Sequence, residues 1–119
     1  MSTILVADDA SFMRLMIRQI LARQGYTEIF EAENGKVAVS LFQTHKPDLA
    51  LLDITMPELD GLAALKEILA FEPKAKVVMC SAIAQENMVR EALKLGALDF
   101  VVKPFRPEEL LKTVTKYLS

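Results

Sequence analysis

The sequence predicts a doubly wound α/β domain, and three observations predict it. Five short apolar runs alternate with five longer amphipathic ones. The third apolar run, residues 49–52, is unbroken, as a strand covered on both faces should be. Gly, Asn, Asp or Pro punctuates most changes of period. Such an alternation builds parallel βαβ units, with right-handed crossovers and helices on both faces of the sheet. Periodicity leaves the strand order open.

The elements follow in order. Residues 4–7 read as the first strand. Phe12, Leu15, Met16, Gln19, Ile20 and Arg23 recur at three- and four-residue spacing, which predicts a helix with an apolar face, closed by Gly25. Residues 28–32 form the second strand. Asn34 and Gly35 start a second helix, with Val37, Ala38, Leu41 and Phe42 on one face, and Pro47 prevents it from continuing. After the third strand, Asp60 caps a helix that turns Leu62, Leu65, Ile68 and Leu69 inward. Residues 76–80 form the fourth strand, residues 84–95 a helix ended by Gly96, and residues 100–102 the fifth strand. Pro107 suits the first position of the last helix, and Glu108 and Glu109 suit its dipole. Leu110, Leu111, Val114, Tyr117 and Leu118 face the core.

Bulk properties narrow the function classes. The 119 residues are read as one domain, 1–119, with no output domain. A net charge of −2 offers no basic field to nucleic acid or to an anionic membrane. No apolar stretch approaches the roughly 20 residues that span a bilayer, and no signal peptide precedes the first strand. The single cysteine, Cys80, excludes an internal disulfide and fits a reducing cytoplasm.

Open parallel sheets bind ligands beyond the carboxyl ends of their strands. Those ends carry Asp8 and Asp9, then Asp53, Ser81 and Lys103; the second strand adds nothing. Two carboxylates about 4 Å apart repel by roughly 4 kcal/mol at an effective dielectric near 20. Three together call for a proton or a cation. Oxygen-only donors suit Mg²⁺ rather than zinc or copper. A carboxylate beside such a cation suggests phosphoryl transfer, with Asp53 as nucleophile and with Lys103 and Ser81 bonding the phosphoryl oxygens. Taken singly, each residue has an ordinary structural explanation as a cap, a turn or a solvated strand end. Together, at four strand ends, they do not.

These residues resemble the receiver domains of two-component response regulators over essentially the whole chain. Leu5-Val6-Ala7-Asp8-Asp9, the run Asp53-Ile54-Thr55-Met56-Pro57, Ser81-Ala82 and Lys103-Pro104-Phe105 carry the likeness. Asp9-Ala10-Ser11-Phe12-Met13-Arg14 and Asp99-Phe100-Val101-Val102 bring it closest to single-domain chemotaxis members of the Gram-positive kind. The resemblance implies a flavodoxin-like sheet of order 2-1-3-4-5. It implies Asp53 as phosphoacceptor for a sensor histidine kinase, here a chemotaxis kinase. It implies Mg²⁺ on Asp9, Asp53 and the Thr55 backbone carbonyl, with Asp8 acting through water. It also implies a cis Lys103–Pro104 bond, and Ser81 and Phe100 as the switch pair.

The implied output is a monomer's contact with the flagellar motor switch protein through helix four, strand five and helix five, with a phosphatase to reset it. A phosphorelay intermediate that serves a histidine phosphotransfer protein is the alternative. An aspartate-nucleophile phosphohydrolase needs a second Asp where Thr55 stands. Serine at position 81 keeps the hydroxyl that many relatives place on threonine. Apolar Ile83 cannot orient an attacking water, so self-hydrolysis is expected to be slow. His45, Cys80, Met13 and Met16 are expected to serve surface or packing roles.

Overall fold

Strand and helix alternate along the chain as the spacing predicts. A computed structural model describes residues 2–118; Met1 and Ser119, the ends of the expected domain 1–119, lie outside the described residues. The elements are β1 (Thr3–Ala7), α1 (Ser11–Ala22), β2 (Glu28–Ala32), α2 (Gly35–His45), β3 (Leu49–Asp53), α3 (Gly61–Phe71), β4 (Val77–Ala82), α4 (Glu86–Leu95), β5 (Asp99–Lys103) and α5 (Pro107–Leu118). All strands run parallel, in the order β2-β1-β3-β4-β5. This is the flavodoxin-like order that the resemblance implies.

The central strands are apolar on both faces because helices cover both. Leu5 and Ala7 of β1, Leu52 of β3 and Met79 of β4 pack with α2, α3 and α4. Their neighbours Ile4, Val6, Leu51, Val78 and Cys80 pack with α1 and α5. Successive strand side chains point to opposite faces, so each strand feeds two cores. Cys80 is buried, and burial pushes its thiol up to about 12. It packs as a small hydrophobe, as expected.

Helix ends follow local chemistry. The Asn34 side chain accepts from the Val37 N–H at 2.9 Å and the Asp60 side chain from the Ala63 N–H at 2.8 Å. A cap of this kind contributes about 1 kcal/mol. Lys46 takes a left-handed φ of 46° at the end of α2, just before Pro47. Gly96 ends α4 at φ 124°, a conformation that a side chain would strain. Helix α1 stops at Ala22 with Arg23 as its cap, so Gly25 lies in the turn beyond. Helix α4 starts at Glu86, later than the spacing predicts, because Ile83–Gln85 winds as a single 3₁₀ turn.

The predicted inner face of α1 needs correction. Of Phe12, Leu15, Met16, Gln19, Ile20 and Arg23, only Ile20 is buried, alongside Ile17 and Leu21. Phe12 is 70 % exposed, Leu15 54 % and Met16 37 %. Met13 packs against the core as expected, and Met16 does not. The helix carries two apolar stripes, and long-range polar contacts choose between them. Arg14 donates to the Asp8 carbonyl at 2.6 Å and to Glu31 at 3.0 Å. Arg18 donates to Glu31 at 2.9 Å. These bonds fix the rotation of α1 about its axis. Helices α2, α3 and α5 turn their predicted faces inward. His45 is exposed, and its ring stacks on Phe30 with centroids 4.1 Å apart.

Candidate functional site

Each strand except β2 delivers site residues to the carboxyl rim of the sheet, and β1 delivers two, Asp8 and Asp9. Asp8 directly follows β1, and its N–H still donates to the Ala32 carbonyl of β2 at 3.0 Å. Asp53 is the last residue of β3, held by the Ile54 N–H, which donates to the Cys80 carbonyl at 3.1 Å. Ser81 lies on β4 opposite Val102, and Lys103 ends β5 opposite Ala82. Gly61 lets α3 begin against this rim: a Cβ there would sit 2.2 Å from the Asp53 carbonyl oxygen. The Lys103–Pro104 bond is cis, as the resemblance implies.

The structure brings the predicted residues together. Asp8, Asp9 and Asp53 each offer a carboxylate oxygen, all within 4.8 Å of one another. Lys103 Nζ lies 2.6 Å from Asp8 Oδ2 and 3.3 Å from Asp53 Oδ1. Asp8 and Asp53 are buried and Asp9 is exposed. The second Asp8 oxygen accepts from the Ala10 N–H at 2.9 Å. Ser81 is 1 % exposed, and its Oγ is buried with no hydrogen-bond partner among the described residues. An unpaired buried hydroxyl costs about 1–3 kcal/mol.

Charge is unbalanced here. Three carboxylates face one ammonium, which leaves two negative charges in a half-buried hollow. Burial raises the Asp53 pKa above the ordinary carboxylate value. Lys103 opposes that rise, while Asp8 and Asp9 add to it. Burial works against the Lys103 ammonium, but its bond to Asp8 and the charge of Asp53 outweigh burial and raise its pKa. A hard divalent cation fits this donor set, being all oxygen and two charges short of neutral.

Residues 4–115 match the response regulator receiver domain. The chain belongs to the response regulator receiver family. It is 49 % identical over 116 residues to the chemotaxis protein CheY of Bacillus subtilis, covering 98 % of this chain and 97 % of that one. It is 47 % identical over 113 residues to CheY of Thermotoga maritima, covering 95 % and 94 %. Among solved structures, the CheX–CheY–BeF₃–Mg²⁺ complex from Borrelia burgdorferi superposes with a TM-score of 0.93 at 34 % identity, covering 99 % of this chain and 90 % of that one. The receiver fold makes this chain a signalling switch of the response regulator class, governed by phosphorylation, and not a classic enzyme. No helix among the described residues is long and apolar enough to cross a membrane.

Beyond the rim, Phe100 is 40 % exposed. With Ser81, Ile83, Val89 and Val102 it lines a groove of about 370 Å³ between β4, α4 and β5. Sequence reasoning gives no role to two residues that touch this site. Arg14 holds the Asp8 carbonyl. Gln85 accepts from the Ala82 N–H at 2.7 Å and donates to Thr55 Oγ1 at 2.7 Å. A Gln three residues past a strand end is half of a capping-box signal, but Ala82 has no side chain to complete it.

Proposed function

We propose that Asp53 is the phosphoacceptor of a chemotaxis-type switch. The observation that carries this reading is the convergence on one carboxylate of an ammonium and two further carboxylates, with a buried hydroxyl, unpaired among the described residues, one position past Asp53's partner Cys80 on the neighbouring strand. A carboxylate oxygen of Asp53 attacks the phosphorus of a phosphohistidine on the kinase. The P–N bond breaks, the imidazole leaves with a proton, and an acyl phosphate remains on Asp53. Asp9, Asp53 and the Thr55 carbonyl, with Asp8 through water, would hold Mg²⁺, whose charge offsets that of the carboxylate and the phosphoryl oxygens. Lys103 exchanges its bond to Asp53 for one to a phosphoryl oxygen. Ser81 turns its unpaired hydroxyl to another.

Moving the Ser81 hydroxyl empties space beside the groove, and Phe100 turns in to fill it. That change is read on α4, β5 and α5; Met88 and Leu93 of α4 and Val102 of β5 are exposed. The partners are a chemotaxis histidine kinase, the flagellar motor switch protein and a phosphatase, and the switch works as a cytoplasmic monomer. The relatives named chemotaxis proteins over nearly their whole length support this reading.

Intact-mass spectrometry with acetyl phosphate tests it, with and without Mg²⁺, on the native chain and on Asp53→Asn. One phosphoryl adduct that needs both Mg²⁺ and Asp53 is expected. An adduct that survives Asp53→Asn overturns the assignment.

A further inference from the structure

Backbone pairing between β3 and β4 ends at Asp53 opposite Cys80, with one further bond from the Ile54 N–H to the Cys80 carbonyl. Past that point the two chains diverge into the loops that flank the phosphoacceptor. One loop carries Thr55, two residues after Asp53. The other leaves β4 at Ala82, its last residue and the neighbour of Ser81, and winds as the 3₁₀ turn Ile83–Gln85. The Gln85 side chain spans the gap. Its oxygen takes the Ala82 N–H and its nitrogen gives to Thr55 Oγ1, both at 2.7 Å. The assignment of oxygen and nitrogen is forced, because an N–H can only donate.

Three features make this bridge more than a turn contact. It grips the backbone at the residue beside Ser81, whose own hydroxyl bonds none of the described residues. It accompanies a Phe100 that is 40 % exposed and lines the same groove as Ser81. It carries no charge, so it restrains the loop without altering the electrostatics around Asp53. We infer that Gln85 is a positioning residue, a latch that holds the end of β4 beside Ser81 against the Thr55 loop and opposes the turn of Ser81 toward a phosphoryl group. This rests on Asp53 being the phosphoacceptor.

Release of the latch favours the state that binds a phosphoryl group. Gln85→Met keeps the side chain's length and removes both bonds; Gln85→Ala removes them without filling the space. The probe is beryllofluoride in saturating Mg²⁺, titrated by NMR, together with Mg²⁺ affinity measured alone. Both variants are expected to bind beryllofluoride about three- to tenfold more tightly, the range that one or two exposed hydrogen bonds supply. Mg²⁺ affinity is expected to stay unchanged, which a general loosening of the site would not allow. In a Thr55→Val background, Gln85→Met is expected to produce a smaller gain, since one of its two bonds is already lost. Equal or weaker beryllofluoride binding by both Gln85 variants overturns the latch. No beryllofluoride binding by the native chain overturns the phosphoacceptor reading beneath it.

Discussion

Asp8 takes part in two charged clusters, and they behave oppositely. Its backbone carbonyl accepts from Arg14, which with Arg18 encloses Glu31. Its side chain joins Asp9, Asp53 and Lys103 at the rim. In the first cluster two guanidinium groups face one carboxylate. Burial opposes ionisation of Glu31, but Arg18 and Arg14 outweigh it and hold its pKa below the usual value. In the second, burial and two neighbouring carboxylates outweigh Lys103 and hold the Asp53 pKa above the usual value. One cluster is complete within the chain and fixes α1. The other is complete only with added positive charge. A carboxylate with an excess of cations stabilises the fold, and one with a deficit is poised for a ligand.

The comparison can be broken at its extremes. The largest effect expected is that of Asp53→Asn, which abolishes the phosphoryl adduct in intact-mass spectra. Next is Lys103→Met, which leaves the buried Asp8 carboxylate unpaired. In Mg²⁺-free buffer it is expected to lose about 3 kcal/mol in urea unfolding. Added Mg²⁺ is expected to recover part of that loss.

Charge removal at Asp53 acts in the opposite direction on stability. Because folding raises its pKa, ionised Asp53 costs stability above that raised pKa, and the cost fades as falling pH protonates it. Without Mg²⁺, Asp53→Asn is therefore expected to be about 1 kcal/mol more stable than the native chain at neutral pH. The advantage should vanish once the pH is below the pKa of an unfolded aspartate.

Glu31→Gln sharpens the contrast with the smallest effect. The lowered Glu31 pKa gives stability that is present above the unfolded value and lost as pH falls through the folded one. A partly exposed bridge between two arginines contributes about 0.5–1 kcal/mol. The native chain is expected to exceed Glu31→Gln by that amount at pH 7 and to match it in acid. A gap that persisted in acid would assign Glu31 a packing role.

The same contrast explains what could be read from sequence. The rim was legible because strand ends in a parallel sheet are fixed by local patterning, and the candidate site residues sit there: Asp8, Asp9, Asp53, Ser81 and Lys103. The strand order was not legible from periodicity and came only through resemblance. The orientation of α1 was misread because Phe12–Leu15–Met16 and Met13–Ile17–Ile20 both recur at helical spacing. What decides between them is Arg14 and Arg18 reaching β2, a contact with no local signature. Gln85 escaped notice for the same reason, since its partner Thr55 lies 30 residues away.

Cys80 gives the sheet an internal clock. Thiol reagents attack the thiolate, and this thiol is buried with its ionisation pushed up to about 12. Labelling therefore waits for β4 to open, and its rate counts those openings. Cys80 pairs with Asp53 across the sheet and neighbours Ser81 along its own strand. Occupancy at the rim should therefore slow the clock, so one alkylation time course would report the switch without a fluorophore or a tag.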